Sequence, residues 1–347
     1  MAYTTIDNPS ETAFNTVLYT GNGSTQAVTG VGFQPDWVWI KGRDLSYNHA
    51  LFDVVRGTTK LLQSNTTNAE QTTSGVTAIG SDGFTLGSDV GMNESGGSFV
   101  SWNWKAGTSF TNDASSTGVG SIDSAGSVST DAGFSILTWT VPASGSATVA
   151  HGLGKVPKMI ISKSRSNATD WEVYHHKTGN ANTNQLNTTA AANDNNAYND
   201  TDPTSSVFSV TAPGFGANRT MVSYCFAEVK GYSKFSSYIG NGNANGTFVY
   251  TGFKPSFILM KNTADGGANW QMFDNKRDVD NVANHRLFPS LNNAENSDTN
   301  NNIDIVSNGF KMRTSNGDTN ANGSTFIYMA FAENPFVNSK GIPNNAR

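Results

Sequence analysis

Apolar residues in this 347-residue chain gather in short runs rather than in helical stripes. "PDWVWIK" (35–41), "PKMIISK" (157–163) and "PSFILMK" (255–261) each run from a proline to a lysine six positions on. In an extended segment Trp37, Trp39 and Lys41 share one face, and Val38 and Ile40 the other. The second run sets Met159, Ile161 and Lys163 against Ile160 and Ser162; the third sets Phe257, Leu259 and Lys261 against Ile258 and Met260. A half-exposed strand would alternate, so the pattern predicts central strands covered on both faces. An aromatic ladder for a ligand would need rings at matching positions, where the second run has Met159 and Ile161. Core packing is therefore the reading. Pro35, Pro157 and Pro255 fit the first strand position, before the ladder begins.

The same order of landmarks recurs around each run. Trp171-Glu172-Val173-Tyr174 matches Trp270-Gln271-Met272-Phe273, with His49 and Phe52 in those places in the first copy. Phe84-Thr85-Leu86, Phe208-Ser209-Val210 and Phe310-Lys311-Met312 follow, then "FVSWNW" (99–104), "MVSYCF" (221–226) and "FIYMAF" (326–331). In the last group Val100, Trp102 and Trp104 share a face, as do Val222, Tyr224 and Phe226, and Ile327, Met329 and Phe331. Asn103, Cys225 and Ala330 take one site on the opposite face. That site suits small residues, so Cys225 reads as a small buried hydrophobe rather than a nucleophile. Pro35, Trp37, Trp39, Trp102, Pro157, Trp171, Tyr224, Pro255, Phe257, Trp270 and Phe331 are the expected core of the repeats. Each copy enters through a strand, a Gly/Asn/Ser turn and a second strand, as in "YTGNGSTQAVTGVGFQP" (19–35), which is a hairpin signature.

The expected fold is all-β: three tandem β-sandwich repeats, jelly-roll or Ig-like, because two stacked antiparallel sheets bury short strands at about a hundred residues per copy. An N-terminal arm (1–13) precedes repeat 1 (14–107). A flexible Gly/Ser/Thr linker (108–132) leads to repeat 2 (133–231), repeat 3 (232–336) and a C-terminal tail (337–347). Composition agrees. The chain is rich in Gly, Asn, Ser and Thr, which disfavour long helices, and aromatics at 11 % are too many for a disordered polar chain.

A net charge of −5 without a basic stripe argues against nucleic-acid binding. One cysteine excludes an intrachain disulfide. No apolar run is long enough to span a bilayer, so no membrane insertion is expected. The opening "MAYTTIDNPSETAF" lacks a signal-peptide pattern.

Candidate chemistry is sparse. His175 and His176 are adjacent and point to opposite faces of a strand, poor geometry for one metal. Asp53, His175 and Asp274 align, and Lys41 with Asp53 or Lys261 with Asp274 could pair across strands; His175 breaks a shared carboxylate pattern. No carboxylate pair suggests a glycosidase. No cofactor is expected, although "NDNNAYNDTD" (193–202) and "NSDTNNNID" (296–304) offer oxygen ligands that calcium could use. Loops after the proline-to-lysine strands offer dense donors and acceptors for a polyhydroxylated ligand. Their candidate contacts are Arg43, Asp44 and Tyr47, then Arg165 and Asn167, then Asp265.

"YTGNGSTQAVTGVGFQPDWVWIKGRD", "LFDVVRGTTKLLQSNTTNAEQT", "SDGFTLGSD" and "SFVSWNWKAG" together resemble a repeated domain of unknown function in virion proteins of tailed bacteriophages, mainly marine ones. "VAHGLGKVPKMIISKSR" is similar to a motif of phage tail-fibre proteins. The resemblance implies a non-enzymatic structural virion protein, made in the host cytoplasm and built into the particle beside other virion proteins. A tail-associated or tail-fibre component contacting a host-surface glycan, as a homo-oligomer and preferably a trimer, is the first expectation. A capsid decoration or head-fibre protein is the alternative, and a depolymerase tailspike is a weaker one.

Overall fold

Strands that are apolar on both faces need cover on both faces, and the computed structural model, described here for residues 4–335, supplies it. The architecture is all-β, with antiparallel ladders and helices of only four residues or fewer. Sheet I orders the strands Phe14–Thr20, Ser98–Trp104, Trp37–Gly42 and Ala50–Asp53. Sheet II contains Phe134–Thr140, Thr220–Phe226, Met159–Ser164 and Glu172–His175 in the same order. Sheet III does likewise with Ser233–Ile239, Thr325–Pro335, Phe253–Asn262 and Gln271–Asp274. The register matches as well. Phe14, Trp104, Trp37 and Asp53 lie side by side in sheet I. Phe134, Phe226, Met159 and His175 do so in sheet II, and Ser233, Phe331, Phe257 and Asp274 in sheet III.

One face of each sheet turns inward onto a single shared core. Trp37, Trp39, Trp102 and Trp104 meet Ile161, Tyr224 and Phe226 of sheet II and Phe257, Leu259 and Phe331 of sheet III. The rings interlock: Trp37 stacks on Tyr224 at 4.3 Å between centroids, Phe14 on Phe331 at 5.2 Å, and Trp104 meets Phe257 edge-on at 5.7 Å. The other face of each sheet packs on a small cover sheet. Val38, Ile40 and Phe52 pack with Val28, Val76 and Phe84. Ile160 and Tyr174 pack with Val149 and Phe208, and Ile258 and Phe273 with Val249 and Phe310. Cys225 is fully buried in the second of these outer cores, its thiol pushed up by burial, and Ala330 lies in the third.

Hydrogen bonds join the three sheets in a closed cycle. The indole N–H of Trp171 donates to the Gln63 carbonyl at 2.9 Å, and that of Trp270 to the Gln185 carbonyl at 2.9 Å. His49 closes the circuit. Its Nδ1 accepts from the Trp39 indole, so its Nε2–H donates to the Phe288 carbonyl at 2.9 Å. A second layer is cyclic too. Tyr224 donates to Asp53 at 2.8 Å, Trp102 to Asp274 at 3.0 Å, and His175 to the Tyr328 carbonyl at 3.2 Å. Asp53 and Asp274 each also hold a buried arginine three residues on, Arg56 and Arg277.

Four expectations need correction. Residues 108–132 are not an irregular linker: Thr108–Asn112 and Ser124–Ser129 extend sheet II beyond Phe134–Thr140. Small residues permit this close ladder, since a Cβ on Gly126 would lie 1.8 Å from the Ile136 carbonyl oxygen. Of the arm, Pro9–Thr12 is a short helical turn, and Ile6 and Ala13 are buried in the shared core; residues 1–3 and the tail beyond 335 lie outside the described residues. Pro35 and Pro157 precede their strands by two positions, but Pro255 sits inside its strand, where register shifts on either side absorb the missing donor. Finally, the three lysines do not pair with Asp53 or Asp274. Lys41 donates to the carbonyls of Gly42 and Leu45, Lys163 to those of Ser164 and Thr67, and Lys261 to those of Asn262 and Thr189.

Two predictions follow from this packing. Trp37 and Trp102 are both fully buried, but among the described residues the Trp37 indole N–H has no acceptor, whereas that of Trp102 binds Asp274. Trp102→Phe should therefore cost roughly 1–3 kcal/mol more than Trp37→Phe, because it strips a donor from a buried carboxylate; urea denaturation of both variants checks this, and equal losses would contradict it. Burial lowers Lys41, Lys163 and Lys261 from 10.5 to about 8. Between those values the unfolded chain holds protons that the folded chain has released. Stability should thus rise from pH 8 to about 9.5, by at most about 1.4 kcal/mol per pH unit for each lysine. Lys163→Met should flatten that rise, which denaturation midpoints at the two pH values would reveal.

Candidate functional site

Of the six loop residues expected to contact a ligand, Arg43 and Arg165 meet glutamates from a neighbouring sheet, and the other four bond within their own part of the chain. After each proline-to-lysine strand the loop meets an arm reaching over from a neighbouring sheet. Glu70 receives the Arg165 guanidinium through two bonds of 2.8 and 3.0 Å, and its amide donates to the Arg165 carbonyl. Glu295 does the same for Arg43, at 3.1 and 2.8 Å. At the third junction Ala192 donates to the Thr263 carbonyl, without a charge. Each glutamate also touches a buried arginine, Arg56 or Arg277. Burial alone would push the Glu295 carboxyl up; the Arg43 and Arg277 guanidiniums outweigh it and hold it below its usual range. Asp44 accepts from the Ser98 amide, Tyr47 donates to Glu94, the Asn167 carbonyl faces Lys163, and Asp265 accepts from Asn262. Among the described residues no hydrogen bond or ion pair joins one of the six to another on a different sheet.

These arms carry a landmark that the sequence comparison missed. Leu62, Leu186 and Leu287 are buried in the shared core. Glu70, Ala192 and Glu295 follow at the junctions. "LQSNTTNAE", "LNTTAAA" and "LFPSLNNAE" are the segments involved, and the recurring leucine ahead of an Asn/Thr/Ala-rich stretch was the available signal.

A concavity lies elsewhere, on the added strands of sheet II. It is a groove of about 770 Å³ between Asn112–Asp113, Ile122–Asp123 and Thr138–Thr140, with Arg165 and Thr220 at its end. Arg165 is the one expected contact residue on it. "NDASSTG" builds the rim: Asp113 caps the turn Ala114–Thr117 by accepting from the Ser115 and Ser116 amides, and Gly118 ends it at φ 67°. The Ser115 and Ser116 hydroxyls and amides hold the Asp113 carboxyl below its usual range. Asp123 accepts from the Ala114 amide and Thr138 donates to the Ala125 carbonyl. The lining offers hydroxyls, an amide, two carboxylates and one guanidinium. Such a surface can hydrogen-bond a hydroxylated ligand. Its carboxylates are tied to turns, and Asp113 is shifted away from what a general acid requires.

The remaining candidates are tied in too. His151 accepts from the Leu153 amide and donates to the Thr204 carbonyl, and burial lowers it to about 4. His176 donates to the Phe235 carbonyl. In the Asn-rich tracts Asp202 accepts from Tyr174 and Asp298 pairs with Arg286 at 2.8 Å. Among the described residues no three carboxylate, histidine or cysteine side chains converge on a point where a metal ion could sit.

Taken as a whole, this is an all-β assembly of stacked antiparallel sheets. The chain belongs to the family described as a domain of unknown function (DUF7483), whose model matches residues 8–335. Comparison with curated proteins and with solved structures returned no match.

The junctions carry a test. Glu70→Gln should lower stability by roughly 1–3 kcal/mol, since two guanidiniums lose their charged acceptor; Ala192→Gly, at the matching position without a charge, should cost less than that. Thermal or urea unfolding of the pair decides it.

Proposed function

We propose that this chain is a non-enzymatic structural protein of a tailed-bacteriophage particle, placed at the tail and presenting loops to the host surface. The observation that carries this reading is the closed cycle of contacts: Trp171 on Gln63, Trp270 on Gln185, His49 on Phe288. We read the chain as three β-sandwich units, 14–107, 133–231 and 232–336, fixed as one rigid body. In this reading the trimer expected of a fibre protein is built within a single chain. Buried charges serve the junctions between units, as suits a part that bears load and does no chemistry. The hydroxyl-lined groove beside Arg165 is the surface we assign to a host glycan.

The same cycle also favours a second reading. A ring of three like units matches the local symmetry of a threefold site on a capsid, where it would decorate the head.

Immunogold labelling of intact particles with an antibody against residues 14–107 separates the two. Gold confined to the tail supports the first reading, and retention on a glycan array should then be lost on filling the groove with Thr138→Trp. Gold over the head supports decoration. Particles that carry no gold would remove the virion reading altogether.

A further inference from the structure

The three cover sheets each begin with a short strand at an edge, and the three edges are finished differently. These strands are Gln26–Thr29 beside sheet I, Ser146–Ala150 beside sheet II and Phe248–Tyr250 beside sheet III. Val28, Val149 and Val249 point inward to the outer cores at matching positions.

In the second case the edge is covered by the chain itself. Ile122 forms a parallel bridge with Val149. The Ser121 amide donates to the Thr148 carbonyl at 2.8 Å, and the Thr148 amide donates to the Ser121 hydroxyl at 2.8 Å. Ser124 donates to the Ala150 carbonyl at 2.8 Å. An extended Ser-Ile-Asp-Ser segment thus meets the outward backbone groups of Thr148 and Ala150, with Ile122 packed at the margin of the outer core.

Beside sheet III the matching residues are Phe248 and Tyr250. The bonds Met312 to Thr247 and Thr251 to Asn308 turn the intervening odd-numbered residues toward the neighbouring strand. By the alternation of an antiparallel ladder, the backbone groups of Phe248 and Tyr250 face the open edge. Among the described residues no further strand lies beyond them in the sheet. Their rings are exposed, 47 % and 60 %, and Ile239 beside Thr247 is 54 % exposed. At the open edge beside sheet I the same positions hold Ala27 and Thr29. Open edges are normally blunted by charge, proline or cover. This one instead adds large apolar side chains to a row of outward-facing backbone donors and acceptors.

We infer that the edge Phe248–Tyr250 is a docking site for an extended polypeptide segment of a partner protein, added as a parallel strand. The occupant is a hydroxyl residue followed by an aliphatic one, as Ser121-Ile122 is at Val149. Its aliphatic side chain sits beside Val249, and its neighbours lie against the rings of Phe248 and Tyr250. A row of backbone groups flanked by alternating apolar side chains complements a strand. The inference goes beyond the virion reading and stands without it.

The test uses the full chain and a labelled peptide of residues 118–125, GVGSIDSA. Fluorescence anisotropy should show saturable binding, and hydrogen exchange should slow at Phe248 and Tyr250. Tyr250→Pro, which removes an outward N–H together with the ring and no bond to the neighbouring strand, should weaken binding at least about tenfold. The milder pair Phe248→Ala and Tyr250→Thr, which copies the edge beside sheet I, should do the same in a chain whose circular dichroism is unchanged. Thr29→Pro should leave binding as it was. Three results would each overturn the proposal: no saturation up to about millimolar peptide, binding indifferent to the Phe248 and Tyr250 variants, or a concentration-dependent dimer that those variants abolish. The last would make a second copy of the chain the occupant.

Discussion

Everything else in this protein follows from a constraint on three sheets: each has two apolar faces and only one small cover sheet. The face left over can be buried only against its counterparts. Trp37 on Tyr224, Phe14 on Phe331 and Phe226 on Phe331 are contacts through which each sheet's inner face is closed by the other two. Large rings suit the place, because a junction of three surfaces leaves a wide gap that aliphatic side chains would fill poorly. Hydrophobic burial has no direction, however, and does not fix how the sheets are rotated about the core. The directional bonds of Trp171, Trp270 and His49 to backbone carbonyls supply that register.

The three junctions are equivalent in geometry and unequal in chemistry. Two carry a glutamate clasped between guanidiniums, and the third has Ala192 in that place. His175 stands where Asp53 and Asp274 stand, and uses a carbonyl acceptor where they use a donor side chain. Backbone-to-backbone bonds persist at all three junctions, so the side chains were free to differ. Buried ion pairs of this kind add little net stability over apolar packing but are costly to break by halves. Each charged junction therefore behaves as a unit whose members must be kept together.

Much of this was legible in the sequence. The two-faced apolar pattern of 37–41, 159–163 and 257–261 assigns each side chain to the core in which it is found, and the aligned landmarks predict the register of Asp53, His175 and Asp274. The arms were not legible, because Gln63, Gln185 and Phe288 act through their carbonyls, and a backbone acceptor leaves no mark on residue type. The groove on sheet II was missed for a related reason. Its added strands are mostly Ser, Thr, Gly and Ala, a composition shared by linkers, and only the free edge of Phe134–Thr140 makes them strands. The loop residues Arg43 and Arg165 looked like ligand contacts because nothing in the sequence shows that Glu295 and Glu70 arrive opposite them.

The shared core also bears on what counts as a domain here. By composition and length each unit has the size of an independent folding block. Yet a unit alone would leave Trp37, Trp39, Trp102 and Trp104, or their counterparts, facing water across a whole sheet. The thermodynamic unit is then the ring, and melting one third removes the inner wall of the other two. A chain of this length would ordinarily unfold piecewise; this one is constrained to lose its structure in a single cooperative step.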